Sequence, residues 1–260
     1  MASKGGLSVM RTKPPVAKTK GSLPKSASCG GLSVIKNQKP QVSEDDQNRA
    51  SAETWLNGEA YYYDPAERLS KVDQLLSSYK NKLAIAKLVA VAKHYSLSSN
   101  EGMRILDSLA PQMQERNLDS TKVDVAMREN SLMLMSALLK VFAKSVESYI
   151  VDAFSSLLLF HCDRNASIRE LSADLCKAFA SVASPHSFRI MYPKIVQAIR
   201  KTWEDGTDVD WRIKVGSLMF LKALAPRVSR YISPLLTELI PSLSECIADA
   251  KKQVQTAGKH

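Results

Sequence analysis

Four short segments of the chain resemble one another at a nearly constant interval, and that interval limits the fold more than any other feature. Met127-Arg128-Glu129 is matched by Ile168-Arg169-Glu170, then by Ile213-Lys214 and by Val254-Gln255, at steps of 41, 45 and 41 residues. Each segment follows an acidic or polar turn, such as Asp163-Arg164-Asn165 or Asp249-Ala250-Lys251. Each then leads into apolar residues at helical spacing; in 166–183 these are Ile168, Leu171, Leu175, Phe179 and Val182. An antiparallel helix pair of this length cannot cover its own apolar face. It buries that face on the next pair, and the stack becomes a solenoid.

From residue 64 the period is helical almost throughout. Asp64 before Pro65 reads as an N-cap with proline at the first helical position, opening a helix to about Tyr79. Further helices are expected at 81–94, between Ser99 and 119, from Asp119 or Ser120 to about Val141, and at 146–161, 166–183, 187–202, 210–225 and 229–248. A last one starts near residue 251. Ala84, Leu88 and Val91 form the inner stripe of the second helix. No window sustains period-2 alternation, so no sheet is expected. The fold class is therefore all-α: a HEAT/armadillo-type α-solenoid of about four and a half helix pairs over 64–260. Residues 1–43 read as a disordered basic tail and 44–63 as a linker, with Asn57-Gly58 a turn.

The charge is uneven. The formal net charge is +10, yet 1–43 contain Lys4, Arg11, Lys13, Lys18, Lys20, Lys25, Lys36 and Lys39 and no acid. The remainder, with 28 basic against 26 acidic residues, is nearly balanced. The tail is rich in Ser, Lys, Gly and Pro and cannot bury enough surface to offset the entropy of ordering. It repeats Gly5-Gly6-Leu7-Ser8-Val9 as Gly30-Gly31-Leu32-Ser33-Val34. Three readings stay open: a basic arm drawn to RNA or another polyanion, a passive extension, or a transit peptide, which is acid-poor and Ser-rich but normally Arg-rich.

The stretch Asp210-Trp211-Arg212-Ile213-Lys214-Val215-Gly216-Ser217-Leu218, continuing to Leu224-Ala225-Pro226, resembles one repeat of the HEAT arrays of fungal-type translation elongation factor 3. It resembles equally those of the related translational activator of the general amino-acid control pathway. Leu239-Ile240-Pro241-Ser242-Leu243-Ser244-Glu245-Cys246-Ile247-Ala248-Asp249 and Lys251-Lys252-Gln253-Val254-Gln255-Thr256-Ala257-Gly258 continue the likeness, which is good over 163–258. Elongation factor 3 carries two ATP-binding cassettes after its HEAT array. This sequence holds no G-x-x-x-x-G-K-[ST], so the resemblance brings no ATPase activity with it. The chain stops one turn into a helix, so Leu235, Leu236, Leu239, Ile240 and Leu243 are expected to stand exposed. That pattern fits a solenoid cut within its last repeat, a truncated gene model, or a surface that meets a partner.

Catalytic chemistry finds no frame. There is no G-x-S-x-G. Cys29, Cys162, Cys176 and Cys246 are far apart, form no CxxC, and suit a reducing compartment. The last three read as small core residues. His161-Cys162-Asp163 is the densest group of ligand types, but neighbouring helical residues point about 100° apart, so no metal site is expected. His161 instead reads as a partly charged ring at a helix C-terminus. No catalytic, cofactor-binding or metal residue is assigned, no small-molecule substrate is expected, and no apolar run is long enough for a membrane.

The candidate binding residues are Arg169, Trp211, Arg212, Lys214, Lys251 and Lys252, which recur at helix starts and would stack into a ridge along the solenoid. Lys13, Lys18, Lys20, Lys25, Lys36 and Lys39 form the basic arm. Trp211 either contacts a partner or packs between repeats. Asp163 with Arg169, and Asp208 with Lys214, are expected to link neighbouring turns. The resemblance implies a non-catalytic, cytoplasmic HEAT module that docks on the ribosome, its rRNA or a translation-factor complex, with a protein partner along the solenoid. A protein-only scaffold, such as a microtubule-, importin- or kinase-associated adaptor, is one alternative. The regulatory N-terminal fragment of an ABC-type translational ATPase is another.

Overall fold

Side chains three and four residues apart hold each helix in the stack, and their burial follows the sequence period. The computed structural model describes residues 43–60, 64–78, 81–114, 122–200, 202 and 208–259. The basic arm, with Lys13, Lys18, Lys20, Lys25, Lys36 and Lys39, lies outside the described residues, as does Tyr61-Tyr62-Tyr63. The α-helices are α1 (Glu44–Trp55), α2 (Pro65–Ser78), α3 (Lys82–Tyr95), α4 (Asn100–Gln114), α5 (Lys122–Phe142), α6 (Glu147–Phe160), α7 (Ala166–Ala180), α8 (Pro185–Ile199), α9 (Trp211–Ile232), α10 (Leu236–Ile247) and α11 (Lys252–Gly258). Among the described residues there is no strand, only a lone bridge between Thr202 and Asp208.

Polar residues start most of these helices. Asn81, Asn165, Ser184 and Asp210 accept first-turn amide hydrogens at α3, α7, α8 and α9. The odd-numbered helices form one layer and the even-numbered helices the other. Within each layer every helix packs on the next, and the layers meet through pairs such as α3 with α4, α6 with α7 and α8 with α9. This is the all-α solenoid expected from the repeat. Ile168, Leu175 and Phe179 of the expected α7 stripe are buried, and Leu171 and Val182 pack partly buried against the same core. Near the middle of the stack, the Phe154 and Phe179 rings lie 4.9 and 6.3 Å from the Phe220 ring, joining α6, α7 and α9.

Two local features differ from the sequence expectation, and the expected break in α9 takes the form of a kink. Residues 44–55, read as linker, form α1, which packs on α3. Ser43 caps α1 by accepting the Asp46 amide hydrogen, and three acids fill its first turn. Only Ala52 of that helix is fully buried, so its apolar period is too thin to read. At the other end, the break expected at 225–229 is present inside α9: Val228 is non-helical, with φ and ψ of −115° and 20°, and separates two helical segments. Pro226 accounts for the bend, since its ring crowds the Lys222 carbonyl and it donates no hydrogen. Finally, only Leu236 and Ile240 of the five α10 residues expected to be exposed are so; Leu239 is buried and Leu235 and Leu243 half-buried. Packing of α10 on α8 and α11 accounts for this.

His161 also differs. It sits buried at the end of α6, and its Nδ1 donates to the Leu157 carbonyl at 3.0 Å. Burial lowers its pKa below the ordinary 6.5, although the Leu157 and Leu158 carbonyls pull the other way. It is therefore a neutral core residue rather than a partly charged one. The ring lies so close to α9 that a Cβ on Gly216 would run into it.

Two predictions follow from this contact. Gly216→Ala should destabilise the protein by about 1–3 kcal/mol despite alanine's better helix propensity, because the ring has no room to retreat. Gly58→Ala, where an added Cβ meets nothing within 4 Å, should leave the urea midpoint within error of the parent. For His161, the unfolded chain takes up a proton near pH 6.5 that the folded chain refuses. Its contribution is thus intact above pH 6.5 and is lost as pH falls toward the folded value. The urea midpoint of His161→Gln should change less than the parent's between pH 7 and pH 5.

Candidate binding surface at the turns between repeats

The turns that lead into the odd-numbered helices are held by one polar arrangement that occurs twice. In the turn before α7, Asp163 Oδ2 accepts from Arg128 Nη1 of the preceding repeat at 2.7 Å. Its Oδ1 accepts the Asn165 amide hydrogen at 2.8 Å, and its backbone carbonyl accepts from Arg169 Nη1 at 2.8 Å. In the turn before α11, Asp249 Oδ2 accepts from Lys214 Nζ at 3.1 Å. Its Oδ1 accepts the Lys251 amide hydrogen at 2.8 Å, and its carbonyl accepts from Gln255 Nε2 at 2.7 Å. In both, the cation lies 35 residues before the aspartate. The aspartate carboxylate thus joins two consecutive repeats while its backbone ties its own turn.

The partners expected from the sequence are therefore changed. Arg169 does reach Asp163, but through the backbone carbonyl, with a second bond to the Arg164 carbonyl at 3.0 Å. The carboxylate of Asp163 belongs to Arg128, which sequence reading passed over. Lys214 pairs with Asp249, not Asp208. The stack brings turns one repeat apart side by side, whereas residues six apart in one turn share only local backbone. The recurring 35-residue separation between cation and aspartate was the available signal.

The two links differ in burial. The side chains of Arg128 and Asp163 are 2% and 3% exposed, those of Lys214 and Asp249 9% and 17%. Arg128 also lies over the Phe160 ring at 5.9 Å. Burial by itself would raise the Asp249 carboxyl, but the Lys251 amide and the Lys214 ammonium outweigh it and hold the group below its usual range.

Of the sequence-derived candidates, then, Arg169 and Lys214 are engaged in the framework. Arg212, Lys251 and Lys252 are exposed. Trp211 is half-buried, packs against the core, and carries the Arg212 guanidinium over its ring at 5.2 Å. It lines an open cleft of about 740 Å³ together with Ile199, Asp208, Lys214, Cys246 and Asp249. Cys246 and Cys176 are buried, and burial pushes the Cys176 thiol up to about 12, so it is a packing residue and no nucleophile. Among the described residues no group of three or more His, Cys, Asp and Glu side chains could hold a metal ion, and no helix is long and apolar enough to cross a membrane.

The family model for the EF3 N-terminal HEAT repeat matches residues 81–260. The chain belongs to this family. The match begins well before the stretch over which the sequence most resembles elongation factor 3, at the start of α3. Over 191 residues, 72% of this chain, it is 28% identical to the stalled ribosome sensor GCN1 of Mus musculus. It is 26% identical over 192 residues to the eIF-2-alpha kinase activator GCN1 of Dictyostelium discoideum. It is 31% identical to elongation factor 3 of Candida albicans over 113 residues, 44% of this chain. The matched parts make up 7% of each GCN1 and 10% of the elongation factor, so the chain spans a small part of these relatives.

The unequal burial of the two links gives a prediction. Asp163→Asn should cost about 3–5 kcal/mol, because it leaves the Arg128 charge buried without a counter-charge. Asp249→Asn should cost about 1 kcal/mol, since Lys214 can turn toward solvent and asparagine still accepts the Lys251 amide hydrogen. Urea unfolding of both variants at neutral pH checks the order.

Proposed function

We propose that this chain is a non-catalytic HEAT-repeat module that docks in the cytoplasm on the ribosome or on a translation-factor complex. One observation carries the reading: residues 81–260 match the EF3 N-terminal HEAT repeat model, and most of the chain aligns with proteins named for sensing stalled ribosomes. Docking would use surface complementarity along the stacked turns, with Arg212, Trp211, Lys251 and Lys252 available for contact. The basic arm would add salt-sensitive attraction to RNA.

Co-sedimentation with purified ribosomes tests this. The full chain should pellet at low salt. A version starting at Val42, which keeps the Ser43 cap, should pellet less, and raised salt should weaken both. If only the full chain pellets and salt abolishes it, the arm is a nonspecific polyanion binder and the solenoid does not dock. If neither pellets, the translation reading falls, and a protein-only scaffold that uses the Trp211 cleft takes its place.

A further inference from the structure

The two edges of the stack carry different charge. The starts of α5 and α7 meet through Asn165 Nδ2 and Glu129 Oε1 at 3.2 Å, and the start of α9 meets that of α11 through Lys214 and Asp249. The odd-numbered helices therefore run in one direction, and their C-terminal ends share the opposite edge. Lys140 stands in the last turn of α5 and Lys144 just after it, Lys177 in the last turn of α7, Lys222 and Arg227 on α9 before its bend at Val228, and Arg230 just after the bend. All six are exposed, and none forms an ion pair with another described residue. Lys177 and Lys222 occupy the same place in successive repeats, eight residues after Arg169 and Lys214.

The acids on this edge do not neutralise it. Burial would raise the Glu147 carboxyl, but Ser187 and Ser184 outweigh it, with a lesser contribution from Lys144, and its Oε1 accepts the Ser184 amide hydrogen. Glu238 lies 3.9 Å from Arg200. Asp152 on α6 and Asp174 on α7 remain as exposed acids, while the exposed Glu170 lies near the start of α7 and so toward the other edge. On the opposite edge, which carries the aspartate ladder of Asp163 and Asp249, Arg128 and Lys214 are consumed in ion pairs, and Lys251 lines the cleft with Asp208, Asp210, Glu245 and Asp249. Attraction to helix C-terminal dipoles accounts for one cation at each helix end. It does not account for Lys222, Arg227 and Arg230 together around the bend of α9.

The geometry points to the C-terminal edge of α5, α7 and α9 as a phosphate-binding surface for RNA. This inference rests on the proposed docking role and names the face and the ligand chemistry. Stacked helices lie about 8–10 Å apart, so the cations are spread along a line on the scale of several phosphates of one strand. The exposed side chains there include these flexible cations together with Val141, Ile190 and Tyr231. Tyr231, the aromatic among them, carries the Arg189 guanidinium 5.3 Å over its ring. A protein interface of useful affinity would need buried aromatic anchors at its centre, whereas phosphate contacts need only such cations.

The test measures binding of the full chain to a fluorescent 20-base-pair RNA duplex over a salt series. The variant Lys177→Gln/Lys222→Gln/Arg227→Gln is compared with Arg49→Gln/Lys82→Gln/Arg104→Gln, which removes the same charge elsewhere. Thermal melts confirm that both remain folded. The edge variant should bind about tenfold more weakly, and its log–log salt slope should shrink by about 2–3, with little change in the matched variant. Equal loss in both variants, no loss in the edge variant, or no binding by the parent overturns the inference. Greater loss in Arg212→Gln/Lys251→Gln/Lys252→Gln overturns it too, by moving the contact to the ladder edge. In ribosome co-sedimentation, a parent that pellets beside an edge variant that pellets equally sinks this inference alone. A parent that does not pellet sinks the docking role, and the duplex result then decides the phosphate surface by itself.

Discussion

One helix pair of about forty residues has more apolar surface than it can cover by itself, and everything else in this molecule answers that constraint. Helices α3, α5, α7 and α9 of one layer, and α4, α6 and α8 of the other, each have a neighbour of their own layer on both sides. Phe220 shows the consequence, since it belongs to α9 but is packed by Phe154 of α6 and Phe179 of α7. Stability therefore comes from interfaces between repeats more than from any single pair. The Gly216–His161 approach shows how little slack such an interface has: one methyl group is enough to disturb it.

Apolar packing alone does not say how far one repeat is rotated against the next. The aspartate ladder supplies that information with directional bonds. A carboxylate that takes a cation from the repeat before, a backbone hydrogen two residues on and a place in its own turn leaves few alternative registers. The buried Arg128–Asp163 link is costly to break from one side, though replacing both partners by apolar residues need not be. The role of that pair is consistent with fixing geometry rather than adding net stability. The ladder also absorbs cations that a sequence reader would assign to a ligand, and so moves the uncompensated positive charge to the other edge.

The same economy explains the helix ends. Polar caps at α3, α7, α8 and α9 satisfy free first-turn amides, and Lys140, Lys144, Lys177, Lys222, Arg227 and Arg230 form no ion pair with another described residue. A surface of this kind is available for recognition without altering the core. It is compatible with the wide divergence of the relatives, which are 26% to 31% identical to this chain over the stretches that match.

Much of the architecture was legible in the residues themselves. The 41-to-45-residue interval and the period-3.6 stripes are local properties, so the helices from α2 onward, the absence of period-2 strand patterns and the stacked class could be read directly. The likeness around Asp210–Gly258 pointed to the family. Helix α1 was hidden because its burial rests on few apolar side chains, and it gains order from α3 rather than from its own pattern. The break near Pro226 was legible too, because a proline removes a backbone donor and crowds the preceding turn. Which cation meets which aspartate, and that His161 is neutral, depend on residues 35 to 55 positions away. Sequence determines the period and the faces of the helices. Only the stacking decides which turns become neighbours, because that is set by how the apolar faces of successive repeats interlock.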